Sequence, residues 1–509
     1  MELSHLLIAT CLISLVAFIL LSGRHSRENK EPINVPGHPI FGHVSGIIRH
    51  GTTYPVLLGQ QNNHPPIYAI RMFGQRIYTV SSPGLASIVM RKQKHLDTET
   101  QFIITVFQNM LGADKAAMRL LLSSTKPAAK KARTPFREEM RSIEHRLLAA
   151  GEPMEAFYES MITEVGQKIG PSGLDNSDTA IPLMHLLEEA LITAAGSALY
   201  GKNNPFAANP SLGKDYWLYD SQISLFLLNI VPKYTVPKAF KARERLVTAF
   251  SAYHVRGGEK DMSDIVRQRC EVACRYGCSD DYLGRSEVEL LNGLLSNMVP
   301  TVFWMLVHII LDSGLAERVS SEVDNFVQKP DLEALILAPG EIRKGCPVLV
   351  ATYQEALRLY SSSARAYQVM EDFMLTDDCL LKKNSIITIP AETIHRNPKN
   401  WGSDALEFNV DRWFKSDRTL NSSAWVPFGG GSSICPGRFF VFDMILSTVI
   451  VILHGYDVET PETKQPPGKK TRVMSGIRIP TDDVHVVATK KRQGKARKWL
   501  IKKKTKQSN

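Results

Sequence analysis

Trp425-Val-Pro-Phe428-Gly429-Gly430-Gly431-Ser432-Ser433-Ile434-Cys435-Pro436-Gly437-Arg438 is the stretch whose reading decides the fold. Its three consecutive glycines permit backbone conformations closed to other residues. A cysteine then stands just ahead of an apolar run, Arg438 to about Leu453, whose pattern predicts a helix. Pro436 fits the preference of proline for a helix start. The free N–H groups and positive dipole end of a helix N-terminus both favour a thiolate.

A thiolate that accepts backbone N–H bonds suits the axial position of a haem iron, where its electron donation favours O–O cleavage. A phosphate-binding loop needs a lysine after its glycines, and none follows here. A buried structural cysteine is the remaining alternative. The segment resembles the haem-ligand loop of the cytochrome P-450 family, Phe-x-x-Gly-x-(Arg/His)-x-Cys-x-Gly. Phe428, Gly431, Cys435 and Gly437 match it, and Ser433 departs from it, standing where the family usually has a basic residue that contacts a haem propionate.

Two upstream segments agree with the resemblance. Glu355-Ala-Leu-Arg358 lies in a helical stretch, and its i,i+3 spacing puts both charges on one face. It looks like the family's Glu-x-x-Arg motif, and Phe408-Asn-Val-Asp411-Arg412-Trp413 looks like the loop that supplies a second arginine. The resemblance makes Glu355, Arg358 and Arg412 a buried ion network with a structural role, because breaking a buried pair strands a charge. Ile394-His395-Arg396-Asn397-Pro398 also fits the segment that precedes that loop.

The family's long central helix usually carries an acid followed by threonine over the haem. Here the matching helix reads Leu294-Leu-Ser-Asn297-Met-Val-Pro300-Thr301-Val-Phe303-Trp304, with no acid before Thr301. Pro300 removes a helical hydrogen bond and predicts a kink. The pattern is similar to the branch containing sterol 7α-hydroxylases and prostacyclin synthase. Asn297 and Thr301 are the candidate catalytic residues: Asn297 either orders a water for proton delivery or bonds the backbone freed by Pro300. Arg365, in a strand-like run ending at Tyr367, is the candidate propionate contact, with another among the basic residues of 126–137. Cys270, Cys274 and Cys278 are spaced to stack along a helix, but no fourth metal ligand lies nearby.

The rest of the chain sets the context. It has 509 residues, 44% hydrophobic and 22% charged, which excludes a disordered or disulfide-scaffold protein. Residues 1–23 read as a transmembrane signal anchor: Leu6 to Leu21 is uncharged, Glu2 precedes it, and Arg24, Arg27 and Lys30 follow it. Residues 24–45 form a Pro/Gly-rich hinge, 46–489 one catalytic domain, and 490–509 a basic tail. The tail's ten Lys and Arg side chains equal the net charge of +10, so nucleic-acid binding by the whole protein is not indicated. Strands are expected over Ile67–Val80 and Ser385–Ile389, and helices over Leu183–Leu199 and Glu287–Leu311.

The expected fold is mainly α with a small β part, the cytochrome P-450 fold. The resemblance implies a haem-thiolate monooxygenase with Cys435 on the iron. Its partners would be NADPH-cytochrome P-450 reductase, a lipophilic substrate (terpenoid, sterol or other secondary-metabolite scaffold) and membrane lipid. The implied location is the endoplasmic reticulum membrane, single-pass with the catalytic domain cytosolic, and the loop and basic tail look most like fungal biosynthetic members. The missing acid before Thr301 motivates an alternative, a haem-thiolate isomerase or dehydratase needing neither O2 nor reductase. A third reading, a non-catalytic tethered protein, would make the basic tail its working part.

Overall fold

The computed structural model describes residues 30–38, 42–72, 74–123, 136–149, 151–169, 180–258, 260, 262–327, 334–337, 339–414, 422–431, 434–470, 476–491 and 498–501. The anchor over 1–23, Ser433, the basic residues of 126–135 and most of the basic tail lie outside them.

Eight helices position the site: α1 (Phe136–Leu148), α2 (Leu183–Tyr200), α3 (Ser211–Ser221), α4 (Pro237–Val255), α5 (Asp264–Arg275), α6 (Asp280–Leu311), α7 (Pro347–Tyr360) and α8 (Arg438–Gly455). A five-stranded sheet flanks them, built from β1 (Ile67–Met72), β2 (Gln75–Val80), β3 (Leu96–Asp97), β4 (Ala364–Val369) and β5 (Ile386–Pro390), in the order β1-β2-β5-β4-β3. The expected helices and strands are present, and the architecture is mainly α with a small β part.

The 32-residue α6 is the axis of the body. It is apolar around most of its circumference, so it must be covered on all sides. It packs against α2, α4, α7 and α8, and Met298 to Val307 are all buried. Ser279 caps it by accepting the Tyr282 N–H, and Asp280 and Asp281 occupy the positive end of its dipole. The helix runs without a break through Pro300. α6 and α8 are both apolar and long enough to cross a membrane, but 78% and 67% of their apolar windows are buried in protein, as core helices are.

The hinge and tail differ from expectation. Residues 33–35 are extended, as the flanking Pro32 and Pro36 favour, but they are docked: Ala69 N–H donates to Ile33 O and Val35 N–H to Ala69 O. The chain is therefore pinned to β1 rather than held off as a spacer. Within the basic tail, Lys498–Ile501 forms a strand parallel to Ala334–Leu337.

α4 and α6 pack tightly at Gly284. A Cβ there would lie 2.3 Å from the Val247 carbonyl oxygen and 2.4 Å from Ser251 Oγ. Backbone cannot swing away as a flexible side chain can, so overpacking is costly. Gly284→Ala is expected to cost about 1–3 kcal/mol, read as a lower urea midpoint at unchanged m-value.

Candidate active site

The glycine-rich loop closes on itself before it reaches α8. The Cys435 N–H donates to the Phe428 carbonyl (3.1 Å), and Gly429 and Gly431 take φ of +70° and +65°, which glycine adopts without strain. A side chain on Gly430 would collide with Met90 Sδ at 2.4 Å. The loop delivers Cys435 to a cavity of about 500 Å3 whose walls include α6, α1 and the start of α8. Burial pushes the Cys435 thiol up; the N–H groups of Gly437 and Arg438 and the charges of Arg438 and Arg365 oppose that rise. The helix-terminus effect read from the sequence is therefore present, but desolvation outweighs it. A cation on the sulfur would complete the balance, since a coordinating thiol is deprotonated by its metal.

The predicted site residues separate into three groups. Cys435, Gly437, Arg365 and Asn297 line the cavity. Arg365 reaches from β4 toward Gly429, whose Cβ would stand 3.2 Å from its Nε. Among the described residues no carboxylate lies within ion-pair distance of Arg365. Arg137, by contrast, is committed to Glu99 (3.0 Å) and Glu144 (3.7 Å). Phe428 and Gly431 shape the loop without walling the cavity. Thr301 does not reach it: the side chain is 1% exposed and its hydroxyl donates to the Asn297 carbonyl at 2.6 Å. Asn297 does not bond the backbone freed by Pro300. Its Oδ1 accepts the Ile477 N–H at 2.8 Å, tying α6 to the segment beside Gly476. Its amide N–H groups meet no acceptor among the described residues, and the residue lines the cavity.

Glu355, Arg358 and Arg412 form the buried network behind the loop. The Glu355 carboxylate accepts from Arg358 Nε (2.9 Å) and Nη2 (2.8 Å), Arg412 Nε (3.0 Å), Asn409 N (2.9 Å) and Trp413 Nε1 (3.0 Å). Arg358 also donates to the carbonyls of His395, Ala405 and Glu407, and Arg412 to those of Trp401 and Asp404. Every lone pair and proton is used, the condition for a buried ion group to hold.

Sequence reasoning missed two members of this site. His395 Nε2 accepts the Val426 N–H at 2.9 Å, joining the network to the cysteine loop. Its neighbourhood in the motif was visible, but the partner 31 residues away was not. His145 lines the cavity among Arg137, Arg141 and Arg438, and burial and those charges push its pKa down. The cysteine row dissolves: Cys270 and Cys274 sit on α5 with sulfurs 3.9 Å apart, but α5 ends at Arg275, before Cys278. Among the described residues no three metal-ligating groups converge.

These features fit a haem. A thiol with two amide donors faces the cavity, a guanidinium without a carboxylate partner stands beside it, and a Cβ on Gly437 would enter the space 4.0 Å from Cys435 Sγ.

A protein-family model described as Cytochrome P450 matches residues 277–486. The chain is similar to the cytochrome P450 monooxygenase nodJ of Hypoxylon pulicicidum, 27% identical over 514 residues, covering 96% of each protein. It is 24% identical to cytochrome P450 7B1 of Mus musculus over 503 residues, covering 94% of this chain and 93% of that one. Among solved structures, the haem domain of a cytochrome P450DA mutant matches with a TM-score of 0.66 at 14% identity, covering 91% of this chain and 99% of that one. That last likeness concerns the fold alone.

Burial, then the Arg358 charge, pushes the pKa of His395 down to about 3. The unfolded chain therefore binds a proton that the folded chain refuses between about pH 6.5 and 3. The stability is fully present above about pH 6.5 and falls as pH drops through that window. His308, also pushed down to about 3, acts in the same direction. Lowering pH from about 7 to 5.5 is expected to cost about 1 kcal/mol per histidine. Unfolding midpoints at the two pH values check this, and His395→Gln should remove about half of the histidine-linked loss.

Proposed function

We propose that this chain is a haem-thiolate monooxygenase of the cytochrome P450 family, that Cys435 would hold the haem iron, and that the cavity beside it receives a lipophilic substrate. The observation that carries this is the exit of the glycine-rich loop: it presents one sulfur, with its N–H donors, to a cavity lined along its length by α6. Haem, when bound, supplies the reductive activation of O2 that puts one oxygen atom into an unactivated C–H bond. The balance is one substrate, one O2, one NADPH and one proton giving hydroxylated substrate, water and NADP+.

The chain's own residues bind, orient and deliver protons. Arg365 would hold a haem propionate by charge-assisted hydrogen bonds. Phe428, Gly431 and Gly437 shape the approach to the sulfur. Glu355, Arg358 and Arg412 hold the polypeptide that carries it. Asn297 Nδ2 donates to a water on the cavity side, because Oδ1 is occupied by Ile477. Thr301 acts indirectly, by fixing the backbone carbonyl of Asn297. The isomerase alternative drew on the residue ahead of Thr301. Thr301 lies behind the cavity wall, so the residue ahead of it does not favour an isomerase.

The family takes electrons from a redox partner and acts on lipophilic molecules. For this chain we propose NADPH-cytochrome P-450 reductase as the donor. We propose a sterol, terpenoid or related secondary-metabolite scaffold as substrate, in line with relatives that include a 25-hydroxycholesterol 7-alpha-hydroxylase of Rattus norvegicus. Residues 1–23 would anchor the chain in the endoplasmic reticulum membrane with 46–489 on the cytosolic side, as the charge flanks of the apolar run support.

Product formation in microsomes is expected to require both NADPH and O2. Asn297→Leu should lower oxygenated product per NADPH consumed by about tenfold, in the range typical of a lost proton-delivery group, with little change in substrate affinity. Turnover without NADPH would contradict the reading.

A further inference from the structure

The cavity wall contains a polar patch that the reading above does not use. Asn292 and Ser296 are one turn apart on α6, and both line the cavity. Behind them Asp220, near the end of α3, is 3% exposed. The Ser296 hydroxyl donates to Asp220 Oδ1. Asn292 Nδ2 donates to Ser296 Oγ at 2.8 Å and to Asp220 Oδ1 at 3.4 Å. The Tyr216 hydroxyl lies 3.4 Å from Ser296 Oγ and donates to the Leu291 carbonyl at 3.2 Å. The cavity is also lined by the apolar Val106, Ile223, Leu227 and Leu294.

The carboxylate sets the direction of every group in front of it. A carboxylate accepts and does not donate, so the Asn292 amide must turn its NH2 toward Asp220. Both N–H atoms are then used, one on Asp220 and one on Ser296. The Ser296 hydroxyl is used as well, donating to Asp220 and accepting from Asn292. What the amide has left is an acceptor, Oδ1, and among the described residues no donor meets it. The patch thus offers the cavity an acceptor.

We infer that Asn292 recognises a hydroxyl group on an otherwise apolar substrate, and that Asp220 fixes the amide so that an alcohol is accepted and the matching ketone is refused. This rests on the cavity being the substrate pocket, as proposed above. A ketone would bring an acceptor against an acceptor, leaving two oxygens desolvated and unpaired, which costs more than the hydrogen bond contributes. A structural role alone, joining α3 to α6, would not depend on what group the ligand carries.

The experiment uses full-length, haem-loaded protein and matched alcohol and ketone pairs, cholestanol with cholestanone and menthol with menthone. Binding is read by equilibrium dialysis, which does not depend on the haem spectrum. At least one alcohol is expected to bind about tenfold more tightly than its ketone, about 1.4 kcal/mol. Asn292→Ala should bring the ratio close to one, mainly by weakening the alcohol. Asp220→Asn frees the Asn292 amide to turn its NH2 toward the cavity, so the preference should shift toward the ketone. If Asp220→Asn does not fold, Asn292→Ala carries the test. Equal binding of both members, no binding of any alcohol, or an equal loss of both in Asn292→Ala would overturn the inference. The reduced carbon-monoxide spectrum of the same preparations reports on the haem reading separately. A normal spectrum without alcohol preference defeats only the assignment of Asn292, whereas an abnormal spectrum with the preference intact defeats only the haem reading.

Discussion

Glu355 is the point on which the rest of the structure hangs. A fully buried carboxylate is tolerable only when its charge is matched and its lone pairs are filled, and here two guanidinium groups, an indole N–H and a backbone N–H do both. Removing one partner of such a group costs about 3–5 kcal/mol, because the others are left charged and dry. The network therefore forces α7, the stretch of carbonyls from His395 to Glu407, and the segment around Arg412 into one arrangement. His395 passes that constraint on through its bond to Val426, two residues before the loop that ends at Cys435. The position of one sulfur is thus set by a carboxylate in another part of the chain.

A second tie acts from the far side of the cavity. Gly476 admits the Asn297 side chain so closely that a Cβ there would overlap its Oδ1, at 1.7 Å. The Ile477 N–H then fixes the amide in one orientation. Asn297 and Asn292 share a device: each has one end of its amide committed to protein, so each offers the cavity a single hydrogen-bonding sense. Asn297 offers a donor, and Asn292, five residues earlier on α6, an acceptor. A polar side chain committed at one end discriminates better than a free one, because it cannot rotate to suit the wrong ligand.

Much of this was legible in the sequence where the chemistry is local. The glycines before Cys435, the i,i+3 pair Glu355 and Arg358, and the apolar runs that became α6 and α8 are all short-range patterns with a physical cause. What was not legible depends on pairs far apart in the chain. Asp220 and Ser296 are separated by 76 residues, Asn297 and Ile477 by 180. No periodicity marks such a pair. Thr301 shows a different limit. Helical spacing puts it one turn from Asn297, but a β-branched hydroxyl inside a helix bonds readily to the carbonyl four residues back, and that bond keeps it out of the cavity. The docked segment at Ile33 to Val35 is extended, as the flanking Pro32 and Pro36 suggest, but its pairing with β1 needed the partner strand to be known.

One spectrum tests the proposed role of Cys435 as the thiolate that would hold a haem iron. Dithionite-reduced, carbon-monoxide-treated microsomes containing the wild-type chain are compared with microsomes containing Cys435→Ala. The strongly red-shifted Soret band of thiolate-ligated haem is expected in the wild type and its loss in the variant. A folded, haem-loaded wild type without that band, or a variant that keeps it, would overturn the assignment of Cys435.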